Sequence, residues 1–71
     1  MTWYYATRET TPTPAAIKIV AFDAGGDRIG TSTSTTQKHG VNQTRSNIIG
    51  ALIREYGDRF HHYEEWHREA P

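Results

Sequence analysis

The chain contains no cysteine. That absence excludes disulfides and thiolate metal sites, two of the usual staples of a small fold. It also lacks an excess of either charge, with eight basic and eight acidic side chains. Nucleic-acid binders usually carry a basic excess, because phosphate contacts supply most of their affinity. Neutrality lowers that expectation, although charge can still be segregated. Residues 36–57 hold Lys38, Arg45 and Arg54 against Glu55 alone, whereas residues 58–71 hold Asp58, Glu64, Glu65 and Glu69 against Arg59 and Arg68. No apolar run approaches the roughly 20 residues of a membrane helix. Met1-Thr2-Trp3-Tyr4-Tyr5 has neither the basic start nor the apolar stretch of a signal peptide. A soluble, cytoplasmic protein without membrane contact is the expectation.

Residues 1–71 read as a single small domain. Such a domain buries only about 60% of the surface its unfolded chain exposes, so it is marginal alone. With disulfides excluded, self-association is the staple left by default.

Four segments carry secondary-structure signals. Residues 2–9 are rich in aromatics and threonine and read as a first strand. Residues 10–15 form a Thr/Pro loop, since each proline forces its predecessor into an extended conformation. Residues 16–23 are the strongest strand signal. Gly25-Gly26 supplies a hairpin turn, and residues 28–36 return as a third strand. A two-residue turn pairs Asp23 with Arg28, Phe22 with Ile29, Val20 with Thr31 and Ile19 with Ser32. Thr31 to Thr36 is polar on both faces, so this strand belongs at a sheet edge, where it can accept another strand, although a solvated edge whose hydroxyls bond locally and to water is the preferred reading.

After a connector at residues 37–41, apolar residues recur at helical spacing: Ile49, Leu52, Ile53, Tyr56, Phe60, Tyr63 and Trp66. Asn42 or Thr44 can cap this helix. Gly57-Asp58 can end one helix and start another. The unchanged apolar phase favours a continuous helix over residues 43–68. The expected fold is α+β, with a three-stranded antiparallel sheet and one long C-terminal helix on one face, in β-β-β-α order.

This arrangement leaves two mismatches. A 26-residue helix spans about 39 Å against about 27 Å for an eight-residue strand. The overhang would carry Phe60, Tyr63 and Trp66. On the second strand, Val20 and Phe22 face one way and Ile17, Ile19 and Ala21 the other. One helix covers only one of those faces. Either the helix folds back over the sheet edge or a partner covers the surplus; the second is preferred. The expected function is a non-enzymatic protein-binding or assembly module, partnered by itself as a homodimer or by another protein. The candidate partner-binding residues are Phe60, Tyr63, Trp66, Trp3, Tyr5, Ile17 and Ile19.

Two alternatives are weaker. The expected order of elements resembles the small sheet-reading DNA-binding domains of some integrases and plant transcription factors. That resemblance implies nucleic-acid contacts from Arg8, Lys18 and Arg28, with Trp3 and Tyr4 or Tyr5 as stacking groups. Lys18 falls on the Val20/Phe22 face and Arg28 on the Ile17/Ile19 face, which argues against one basic reading surface. A His/Glu metal protein is more distant. Glu64 and His67, and His62 and Glu65, have the i, i+3 spacing found in helical carboxylate-bridged sites. They fall mostly on a polar face, and no zinc-helix motif is present. No serine or threonine has an adjacent histidine, and the glycines around residue 26 precede a strand rather than a helix. No catalytic residue, metal ligand or cofactor is therefore assigned.

Overall fold

A computed structural model of the chain describes residues 3–6 and 14–69. The described residues form four strands and one helix: β1 (Tyr4–Tyr5), β2 (Ala16–Phe22), β3 (Arg28–Thr35), α1 (Gly40–Tyr56) and β4 (His62–Arg68). A single 3-10 turn, Gly57–Arg59, joins α1 to β4. The strands make one antiparallel sheet in the order β1-β4-β2-β3. The α+β class and antiparallel sheet match expectation, but the sheet has four strands rather than three and the helix is internal.

The helix ends at Gly57, whose φ of 56° is one that L side chains rarely adopt. Its N–H still bonds the Ile53 carbonyl, but the chain then turns away. His61 N–H donates to the Phe22 carbonyl at 2.9 Å, fixing the start of β4 beside the end of β2. Phe60, Tyr63 and Trp66 therefore do not continue a helix. Their spacing matched the helical phase by coincidence. β4, His-Tyr-Glu-Glu-Trp-His-Arg, lacks the composition of a strand. It forms one because β2 is nearly all buried and its backbone needs partners on both sides. β3 bonds one edge of β2 and β4 the other.

The buried face of α1 is also rotated from expectation. Thr44, Ile48 and Leu52 are buried, whereas Ile53 is 47% exposed. The helix begins at Gly40, within the expected connector, and no side chain caps it. Asn42 is the partner of Arg45 Nη1, and the Thr44 hydroxyl approaches the Thr35 carbonyl at 3.5 Å. At 17 residues α1 is about 26 Å long, close to the seven- and eight-residue strands beneath it. The overhang disappears.

α1 covers the Ile17, Ile19 and Ala21 face of β2, and these three are fully buried with Ile48 and Leu52. Val41, Ile49, Tyr56, Phe60 and Ile29 pack around that core. Gly30 makes room for Tyr56, because a Cβ at residue 30 would fall 2.6 Å from the tyrosine ring.

The β2–β3 hairpin keeps the expected Val20–Thr31 and Ile19–Ser32 pairs. Nearer the turn it departs. Ala21 pairs with Gly30 and Phe22 with Arg28, so Ile29 is the extra residue of a β-bulge. Burial drives this shift, since it lets Ile29 join the core. Asp23 does not pair with Arg28; its Oδ1 accepts the N–H groups of Gly25 at 3.0 Å and Asp27 at 2.9 Å. In the described part of the expected first strand, only Tyr4–Tyr5 forms a strand; its neighbour is β4, and the N–H of Ala6 just beyond it donates to the Glu65 carbonyl.

Candidate binding face

Residues opposite one another in an antiparallel sheet project to the same side. The registers therefore define the face that α1 leaves uncovered. Across it run four rows: Thr35, Ala16 and Arg68; Thr33, Lys18, Trp66 and Tyr5; Thr31, Val20 and Glu64; Arg28, Phe22 and His62. Trp3, just before β1, lies over the first two rows. Its ring centroid is 4.9 Å from the Lys18 ammonium and 5.1 Å from the Arg68 guanidinium.

The aromatic groups are held by one another and by these cations. Lys18 Nζ also lies 5.7 Å from the Trp66 ring, so the ammonium is flanked by both tryptophans at cation–π distance. Tyr5 meets Trp66 edge-on at 5.4 Å. At the other end of the face, Phe22 and His62 stack at 5.1 Å with their planes 10° apart. The His61 and His62 Nδ1 atoms share a hydrogen bond of 2.9 Å. The strands carry three cations on this face, Lys18, Arg28 and Arg68, against one carboxylate, Glu64.

The bulge corrects the sequence reading of Arg28. Simple alternation put it on the Ile17/Ile19 face, opposite Lys18. The extra residue puts it across from Phe22, on the same side as Lys18. Of the other expected residues, Trp3, Tyr5 and Trp66 come together on this face. Ile17 and Ile19 are sealed beneath α1, Phe60 packs against the core, and Tyr63 is exposed on the helix side. Arg8 lies outside the described residues. His62 and Arg68 were missed as site residues because their places depend on β4 pairing with β2; Phe22 was placed on this face by alternation but not counted as a site residue. Strand alternation also separates Glu64 from His67, and His62 from Glu65, onto opposite faces.

Beside α1 the helix-side face carries a second polar group. The Arg45 guanidinium grips Glu65 with both ends of its fork, Nε to Oε1 at 2.5 Å and Nη2 to Oε2 at 2.9 Å. His67 Nε2–H donates to the same Oε2 at 2.6 Å. His67 is buried edge-on against Tyr4, its pairing partner in β1. Burial pushes the Glu65 pKa up, but the hydrogen bonds and charge of Arg45 and His67 outweigh burial and hold it below the usual glutamate value of 4.5. The bond to Glu65 raises that of Arg45, against partial desolvation.

A carboxyl group with a depressed folded-state pKa stabilises the fold above its unfolded pKa. That contribution disappears as pH falls through the folded value. Glu65→Gln is thus expected to be less stable than the parent at pH 7, with the gap closing below about pH 4. Thermal melts across pH check this; an undiminished gap at pH 3 would assign the loss to packing instead.

No helix among the described residues is long and apolar enough to cross a membrane. Comparison with known proteins finds no matching family model, no matching curated protein and no matching solved structure.

Proposed function

We propose that the protein is a non-enzymatic binding module whose uncovered sheet face takes single-stranded nucleic acid. One observation carries the reading. The β4 register and the bulge at Ile29 gather Lys18, Arg28 and Arg68 beside Trp3, Tyr5, Trp66 and Phe22, with one carboxylate among them. Cations track phosphates while aromatic rings stack on bases, a combination that binds single strands with little sequence preference. The threonine column of β3 adds hydroxyl donors along one side.

Single strands suit this surface better than duplex. Four strands place the outer strand axes about 14 Å apart, wider than the roughly 12 Å major groove. Stacking on Trp66 and Tyr5 also requires unpaired bases. Among the described residues Phe60, Tyr63 and Trp66 lie outside the helix and Ile17 and Ile19 are internal, which gives less support to a protein-binding module that works through an aromatic helix end.

Both tryptophans of the chain lie on this face, so intrinsic fluorescence reports directly on it. Titration with oligothymidylate or oligouridylate is expected to quench most of the tryptophan emission. Three phosphate contacts predict a slope of log K against log salt near −2. Unchanged emission at micromolar oligonucleotide in 50 mM salt would remove the proposal, as would an affinity indifferent to salt.

A further inference from the structure

β3 is an edge strand, and over Gly30 to Thr36 it has no charge and no proline. Those are the devices with which natural sheets usually protect an open edge. The bulge at Ile29 guards only one end.

The hydrogen-bond pattern shows which groups are offered. Ala6 N–H donates to the Glu65 carbonyl, so the odd-numbered residues of β4 face β1 and the even-numbered ones face β2. On β2 the even positions then face β4 and the odd positions face β3. The bonds from Thr36 N–H to the Ala15 carbonyl and from Asp23 N–H to the Asp27 carbonyl agree. In β3, Gly30, Ser32 and Ser34 therefore bond inward, and Thr31 and Thr33 present their N–H and C=O groups outward. Among the described residues neither threonine has another backbone partner.

We propose that a second copy of the chain pairs with this edge, β3 against β3 antiparallel, about a two-fold axis through Ser32. The edge is self-complementary in that register. Thr31 of one copy meets Thr33 of the other, twice over, and each pair exchanges two backbone hydrogen bonds. Thr–Thr cross-strand pairs are themselves favourable. Arg28 falls opposite Thr36 of the other copy, so no like charges meet. α1 lies over β2 and β3, so the two helices run side by side about 10 Å apart, an ordinary packing distance. The two-fold axis stands normal to the sheet, so the uncovered faces of both copies join into one eight-stranded surface. The pairing stands independently of nucleic-acid binding.

Light scattering of the full chain from 5 to 500 µM is the test. The expected mass is twice that of one chain at the upper end. Thr33→Pro removes an outward N–H only, a change that edge strands tolerate. It is expected to halve the mass while the circular dichroism spectrum and melting remain near those of the parent. If Thr33→Pro fails to fold, Thr31→Pro supplies the same test by removing the other outward N–H. A parent chain that stays monomeric at 500 µM overturns the proposal. A dimer that persists in a folded Thr33→Pro or Thr31→Pro variant also overturns it.

Discussion

Ile19→Ala is expected to cost about 3 kcal/mol of stability and to lower the melting temperature by roughly 10–25 °C. Ile19 is fully buried in the central strand, under Ile48 and Leu52. Removing its outer carbons loses their transfer free energy and leaves a cavity. That cavity cannot collapse readily, because β2 is pinned by β3 on one side and β4 on the other. A domain of this size has a total stability of roughly 4–11 kcal/mol, so one such change removes a large part of it. Val20→Ala is the informative comparison. Val20 is also buried, but on the face without a helix, where flanking side chains can move into the space. Its expected cost is nearer 1 kcal/mol. Equal losses in urea unfolding would mean that both faces are packed alike, contrary to the single helical layer.

Trp66→Ala is expected to weaken oligonucleotide binding by between about 5- and 150-fold, corresponding to 1–3 kcal/mol of base stacking. Trp66 stands at the centre of the aromatic group, touching both Tyr5 and Lys18. Removing it deletes a stacking surface and frees the Lys18 ammonium on one side. Trp66→Phe keeps a ring at that position and is expected to recover most of the affinity. Tyr63→Ala separates binding from stability: Tyr63 is exposed, belongs to the same strand and faces the helix side. Its expected effect on binding is within twofold. Anisotropy of a labelled oligonucleotide avoids dependence on the deleted fluorophore. Equal losses for Trp66→Ala and Tyr63→Ala would move the binding surface elsewhere.

The misreading of residues 57–68 has a definite physical origin. Phe60, Tyr63 and Trp66 continue the phase of Ile49, Leu52 and Tyr56, and periodicity alone cannot distinguish a continuing helix from a coincidence. The opposing signal was Gly57, a residue that readily accepts the positive φ at which the helix stops. The pull that makes a strand from His62–Arg68 comes from outside the segment. It is the unpaired edge of β2, which no property of His-Tyr-Glu-Glu-Trp-His-Arg records. The placement of Arg28 failed for a related reason. Local alternation assigns a face only while the register is unbroken, and the bulge arises because burying Ile29 outweighs a regular ladder.

Local chemistry was sufficient for several features. β-branched residues and alternation determined the strand from Ala16 and the two faces of β2. Gly25-Gly26 determined the hairpin, and the threonine run determined that β3 lies at an edge. Only the tertiary structure decided that β4 exists, where α1 ends and which of its residues are buried. It alone gathered Trp3, Tyr5, Lys18, Arg28, Trp66 and Arg68 on one surface. Propensity and periodicity act over a few residues along the chain. Sheet pairing joins residues some fifty positions apart, such as Lys18 and Trp66, and is selected by the backbone hydrogen bonds and apolar area that the whole domain satisfies together.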